Sequence, residues 1–397
     1  MRPALARALF CAFLAAVVAS AVALDLGRVR APWGGWDARV YCAAARAADA
    51  GKSPYVVANL EPFGVDRLSF SYPLATLAVF RPLCAGDARA RFALFYGACL
   101  VVAFGLAAWA ASTERVLLGV WLLGGFAGAA FCFWTLNVGL LELALFAASV
   151  PLVARKRHAA AAMAIGLAAS FKLVPVLLAA PLLFVAPTRR LRVAGAAIAA
   201  PAATLGLSAV MSPAFFRDFV ANVFGRIPNQ HAPALEGLPD ATNPTFVLAL
   251  EGGLSGLGVP RVVYYVVLVA LLIVAVLVTR RLRARGLDDV RLFAVGALFV
   301  LLLLPRLKPY SLPFATLPVF LLAREASRLV QVVVVLVGVW LPSLGFNGRV
   351  AMAMDRLPVA ARVWARTNQT TCLFLCTALL VAVVWRAPSA ARTTSPR

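Results

Sequence analysis

Long apolar stretches recur along this chain, and they constrain its fold more than any other feature. A helix crossing ~30 Å of hydrocarbon needs roughly 20 residues, and its backbone polar groups must find partners inside the helix because lipid offers none. Stretches near that length lie at residues 4–24, 90–111, 116–134, 138–154, 192–211, 261–280, 290–305, 310–323, 327–344 and 369–386. Composition agrees: 63% of the 397 residues are hydrophobic and 14% are charged, whereas soluble domains run roughly 45–50% apolar and about 25% charged. The expectation is an all-α polytopic membrane protein rather than a soluble, disordered or fibrous one.

Between Arg157 and Arg189 the apolar stretch is too long for one straight span, and Lys172 and Pro175 interrupt it. It reads as two short helices meeting near Lys172, which brings the total to roughly 12 spans with both termini on one side. Lys and Arg mark the cytoplasmic side of short loops. The clusters Arg155-Lys156-Arg157, Arg189 to Arg192, Arg280 to Arg285 and Arg324 to Arg328 all fall there if both termini are cytoplasmic. That side then holds half of the 38 Lys and Arg but only Glu114, Asp288, Asp289 and Glu325 among the 16 acids. The net charge of +22 is therefore mostly a topology signal, and nucleic acid is not expected as a partner. Arg2 and Arg7 ahead of an apolar run ending Ala21-Val22-Ala23 also resemble a signal peptide, but cleavage would leave an odd number of spans.

The whole chain is expected to be one integral membrane domain at the plasma membrane, with three long extracytoplasmic loops, 25–89, 212–260 and 345–368. Function concentrates in such loops. Only Glu142 and Lys172 are ionisable candidates at membrane depth, and they have no symmetric mate of the kind transporters carry. In the first loop Asp37 follows Gly34-Gly35 and opens an Ala-rich helical segment at 38–50. From residue chemistry alone Asp37 reads as a helix N-cap, worth about 1 kcal/mol, and Tyr41, one turn further on, as an interfacial aromatic. Trp33, Trp36 and Tyr55 fit either an interfacial belt or stacking on sugar rings. Cys42 and Cys84 are the only cysteines of the seven in an outer loop, where a disulfide can form. Cys372 and Cys376 have helix-face spacing, not the pattern of a metal site.

Lys172 reads either as the partner of Glu142 in an ion pair, as a side chain snorkelling to the interface, or as a contact for an anion. Arg306 and Lys308, in a tight Pro-bounded outer turn, read either as an ordinary charged turn or as a grip on phosphate. His231, beside Asn229-Gln230 and near Asp240, is open to a loop hydrogen bond or a functional one. The third loop, with Arg349, Asp355, Arg356, Arg362 and Arg366, suits contact with anionic lipid or acceptor. The two histidines cannot make a multi-His metal site.

Taken in order, an Asp just after the first span, Gly51-Lys52-Ser53-Pro54-Tyr55, Phe70 to Leu83 with its Tyr72-Pro73, Asn137 to Leu141, Phe171-Lys172-Leu173 ahead of Pro175, Asn229-Gln230 and Pro305 to Tyr310 form a series. That series resembles the membrane enzymes of glycosyltransferase family 87. The resemblance implies the GT-C fold and transfer of a sugar, typically mannose, from a polyprenyl monophosphate donor to an envelope glycolipid or glycan. The best-known members do this in actinobacteria. It implies Asp37 as the general base, Lys172, Arg306 and Lys308 around the donor phosphate, and Tyr41, Tyr55, Tyr72, Asn137, Glu142, Asn229, Gln230 and His231 around substrate. One carboxylate suffices, because the phosphate leaves with charge stabilisation rather than protonation. No metal and no cofactor is expected. The chain departs from the family where Gly-Gln-Asn or Asn-Gly-Gln commonly opens the fourth span, since it has Asn137-Val138-Gly139-Leu140-Leu141-Glu142. It also has Arg306 and Lys308 where many members carry a His pair. A lipid-linked sugar transporter or flippase is the competing expectation, and a membrane scaffold a third.

Overall fold

The computed structural model describes residues 3–29, 34–65, 68–111, 114–227, 258–304, 307–346 and 359–386. Among them every regular element is helical. Six helical stretches are long and apolar enough to cross a membrane by length and composition: Ala4–Ala23, Ala88–Ala110, Arg115–Thr135, Pro187–Met211, Val262–Ala284 and Gln369–Arg386. Shorter apolar helices, among them Gly139–Ala154, His158–Ala169, Pro313–Ala323 and Arg328–Leu344, fill the interior between them. Exposure follows from that division. Leu94, Val101, Leu191, Val210 and Val266 on the long helices are exposed, as lipid-facing side chains would be, whereas every residue of Pro313–Ala323 is buried.

In chain order the described α-helices relevant to the site are α1 (Pro3–Val29), α2 (Trp36–Asp49), α3 (Leu77–Phe80), α4 (Ala88–Ala111), α5 (Arg115–Gly124), α6 (Gly128–Thr135), α7 (Gly139–Ala154) and α8 (His158–Ala169). They are followed by α9 (Ala180–Val185), α10 (Arg190–Met211), α11 (Pro213–Val223), α12 (Arg261–Ala284), α13 (Asp289–Leu303) and α14 (Pro313–Ala323). Helix α7 packs between α4 and α8, and α8 packs in turn on α10. Helix α14 closes the other side of α7 together with α13.

The straight span expected at 116–134 is instead broken between α5 and α6. Phe126 and Ala127 both take φ of 53°, which side-chain-bearing residues rarely adopt. The cause is close packing: a Cβ at Gly125 would lie 2.5 Å from Thr316, and one at Gly128 would lie 2.8 Å from the backbone nitrogen of Pro313. Here α14 presses against the break, and only glycine leaves room for it. By contrast, the interruption expected at Lys172 is present. Helix α8 ends at Ala169, and the chain resumes as the 3₁₀ turn Val174–Ala179 and then α9. Helix α1 runs to Val29, beyond its expected end at 24.

The first loop folds onto the helices rather than trailing away from them. Helix α2 buries Ala38, Val40, Tyr41 and most of its alanines. Cys42 and Cys84 form a disulfide, Cα–Cα 5.3 Å, that ties α2 to the turn Arg81–Cys84 leading into α4. An exposed Arg81–Asp49 contact of 2.6 Å lies beside it and adds little, since exposed pairs contribute ~0–1 kcal/mol. In the second loop α11 is amphipathic and begins at Ser212, whose hydroxyl accepts from the Phe215 amide. Asn222 at its far end donates to the Phe70 carbonyl at 3.2 Å, so this helix braces the first loop.

Candidate functional site

The site forms where α2 meets the turn between α6 and α7. Gly35 is the N-cap of α2, in the left-handed region at φ 78°, and its amide donates to the Trp134 carbonyl at 2.7 Å. Asp37 is thus the second residue of the helix, in its first turn and not its cap, and no side chain caps α2. That removes the N-cap reading of Asp37. Its carboxylate accepts from Asn137, which sits in the tight connection Leu136–Val138.

Asn137 is fully buried and its amide is used at both ends. The Oδ1 atom accepts from the Gly139 amide at 2.9 Å and from Lys172 Nζ at 2.9 Å. Both of those groups can only donate, so the amide orientation is fixed and Nδ2 must face Asp37, to which it donates at 2.8 Å. Lys172 stands at the break between α8 and the following 3₁₀ turn, where no regular helix hydrogen bonding constrains it. Its ammonium lies 3.7 Å from Glu142 Oε2 on α7 and 3.9 Å from the centre of the Tyr310 ring, with the Tyr72 ring at 5.6 Å. The Lys172 side chain is 16% exposed and that of Glu142 is wholly enclosed. Four side chains from α2, the α6–α7 turn, α7 and the α8 break thus form one polar line: Asp37, Asn137, Lys172, Glu142.

Burial raises the Asp37 carboxyl above its ordinary value. The Asn137 hydrogen bond, the Lys172 charge, and smaller contributions from Thr135 and Trp36 act in the opposite direction. A carboxylate poised in this way, with a fixed cation near it, can take a proton from a hydroxyl and stabilise a departing anion.

The expected tyrosines are close by but enclosed. Tyr41 and Tyr55 are fully buried and Tyr72 nearly so. Tyr41 stacks on Phe80 at 4.2 Å, its hydroxyl meets that of Tyr72 at 3.1 Å, and it accepts from the Val138 amide at 3.3 Å. Tyr55 donates to the Tyr72 carbonyl at 2.9 Å. Together they form a wall behind Asp37 and Asn137, and Tyr41 is not the interfacial aromatic that residue chemistry alone suggested. Burial holds the Tyr41 and Tyr72 hydroxyls well above their ordinary values, so both stay neutral. Trp36 is half-buried against Trp134 and Phe131.

Lys308 opens the 3₁₀ turn Pro309–Ser311 that carries Tyr310 to Lys172, which puts this cation on a loop bordering the site. Arg306, Asn229, Gln230 and His231 lie outside the described residues, as do Trp33, Asp240, Arg349, Asp355 and Arg356. Two neighbours escape sequence reasoning: the ring of Tyr310 under Lys172, and Thr135 beside Asp37. Tyr310 closes the stretch Pro305 to Tyr310 that carries part of the family resemblance, without a role of its own there; Thr135 had no signal. Among the described residues no group of three or more His, Cys, Asp or Glu side chains is placed to hold a metal ion.

Residues 70–305, more than half of the chain, match the model of glycosyltransferase family 87. No curated protein and no solved structure matches the chain.

Proposed function

The chain belongs to glycosyltransferase family 87 and is a multi-pass membrane glycosyltransferase, and from that premise we propose that it takes its sugar, mannose or a close relative, from a polyprenyl monophosphate carrier. The acceptor in this reading is an envelope glycolipid or glycan at the extracytoplasmic face. One observation carries it: Asn137 holds the Asp37 carboxylate and the Lys172 ammonium on opposite ends of one buried amide, at 2.8 and 2.9 Å.

Asp37 removes the proton from the acceptor hydroxyl as that oxygen attacks the anomeric carbon. The bond from sugar to phosphate breaks with inversion, and the phosphate departs as an anion. Lys172 meets that charge from within, and Lys308 and Arg306 meet it from the outer loop. Positioned general-base catalysis contributes typically about 10²–10⁴-fold. A fixed cation in a dry site adds to this because its charge needs no reorganisation at the moment of reaction. Tyr41, Tyr55 and Tyr72 shape the wall of this site, and Asn229, Gln230 and His231 of the second loop contribute to substrate binding.

Support for the extracytoplasmic placement comes from the Cys42–Cys84 disulfide on the helix that carries Asp37, since such bonds persist in oxidising compartments. The basic clusters at Arg155–Arg157, Arg189–Arg192 and Arg280–Arg285 favour the opposite side for the loops that hold them. The donor class is tested with the purified protein in detergent, offered radiolabelled mannose on polyprenyl phosphate or on a nucleoside diphosphate with the same lipid extract as acceptor. Product from the lipid carrier alone is expected. Product from the nucleotide sugar alone would overturn the donor assignment.

A further inference from the structure

Glu142 lies within the first turn of α7, fully enclosed, and neither carboxylate oxygen has a hydrogen-bond partner among the described residues. Its one close charge is Lys172 Nζ at 3.7 Å, beyond hydrogen-bonding distance. The lysine gives its hydrogen bond to Asn137 and faces the Tyr310 ring. A buried carboxylate so poorly served is costly in its ionised form, and a lysine at membrane depth is costly without a counter-charge. Each therefore depends on the other. Glu142 has no exposed surface through which to touch a ligand, whereas Lys172 keeps an open face.

We propose that Glu142 is a positioning residue: it is the resident counter-ion of Lys172, and it takes up one proton from solvent when an anionic phosphate claims the lysine. This rests on the reading of Lys172 as a phosphate contact. The carboxylate holds Nζ beneath Asn137 in the resting site and keeps the pair neutral inside the protein. When the ligand phosphate arrives, two anions compete for one ammonium. The enclosed one, lacking any other donor, is neutralised by protonation of an oxygen, giving the uncharged acid.

The groups facing Glu142 do not supply this charge balance in another way. Tyr96 approaches from α4 with a buried hydroxyl that has no hydrogen-bond partner among the described residues, Cys132 comes from α6, and Tyr72 from the first loop. Asp37 lies on the far side of Asn137. Helix α14 carries no titratable residue, and the ionisable residues of α8 and α13, His158, Asp289 and Arg291, sit at the opposite end and pair there with each other, Asp288 and Glu325. Among the described residues Lys172 is the cation within reach.

The test is binding of farnesyl phosphate, a short polyprenyl monophosphate, to the full-length protein in detergent from about pH 6.5 to about pH 8.5, a window in which one titrating group changes affinity about tenfold per pH unit. Wild type is expected to bind more weakly as the pH rises. Glu142→Gln should lose most of that slope and so bind up to about a hundredfold more tightly at the alkaline end, while Asp37→Asn keeps it. Glu142→Gln binding with the wild-type slope, or Asp37→Asn abolishing the slope, would overturn the proposal. Should Glu142→Gln fail to fold, the ligand-induced infrared difference spectrum of wild type decides: a new protonated-carboxyl band, retained in Asp37→Asn, supports uptake by Glu142, and its absence refutes it. Wild type that binds no farnesyl phosphate at any pH sinks the phosphate reading of Lys172 itself, and the proposal with it. Binding without proton uptake sinks the proposal alone.

Discussion

Asn137 is used at both ends, and that fixes the site at the scale of single residues. Its amide donates to Asp37 and accepts from Lys172 and the Gly139 backbone. Its hydrogen bond favours the ionised form of Asp37, opposing the burial that raises the carboxyl. The base must be ionised to act, so turnover falls as the pH drops through the folded-state value, which lies above the ordinary ~3.9. Asn137→Ala removes a stabiliser of the anion and should move that acid limb to higher pH in a pH–rate profile; an unmoved limb would dissociate Asn137 from the base. Tyr41→Phe leaves the Val138 amide without its partner and should cost about 1–3 kcal/mol in thermal unfolding, the usual penalty for an orphaned buried donor. Asp37, Asn137, Glu142 and Lys172 were all legible in the sequence as polar residues in an apolar chain. What placed Tyr310 and Thr135 beside them was tertiary packing, which leaves no trace in spacing.

At the scale of elements, the site depends on two close approaches and one covalent tie. A Cβ at Gly139 would lie 2.5 Å from the Tyr310 carbonyl and 3.0 Å from Cys132 Sγ. Gly139→Ala should therefore separate α7 from the turn carrying Tyr310, with overpacking of ~1–3 kcal/mol, and lower transfer activity more than it lowers expression. The disulfide closes a segment with a sequence separation of 42 that includes α3, Tyr55 and Tyr72. Chain-entropy arguments give such a loop about 4 kcal/mol. Cys42→Ser should expose residues 52–84 to limited proteolysis, and so should reduction of the wild type; equal digestion in both redox states would mean that the packing of Tyr41, Tyr72 and Phe80 suffices alone. Helix α2 was readable from its Ala-rich run, and the interruption at Lys172 from a charge and a proline in an apolar stretch. The break between α5 and α6 was not, because it is imposed by α14, a helix nearly two hundred residues away in sequence.

For the whole molecule, apolar run length identified the membrane class, but only six described helices are long and apolar enough to cross a bilayer, against the roughly 12 spans expected. The shorter apolar helices lie in the interior, where a helix surrounded by protein need not match the hydrocarbon thickness. Sidedness rests on the basic clusters and the disulfide. An impermeant thiol reagent applied to intact cells should label Cys42 and Cys84 only after treatment with an impermeant reductant; labelling that requires cell lysis would invert the topology. The assignment of Asp37 as the base of a transferase on that face is settled by radiolabelled mannose transfer from polyprenyl-phosphate mannose to endogenous acceptors. Membranes carrying wild type are compared with those carrying Asp37→Asn at matched protein levels. A loss of about 10²–10⁴-fold in the variant is predicted, the range for removing a general base, whereas wild-type turnover by folded Asp37→Asn would contradict the mechanism.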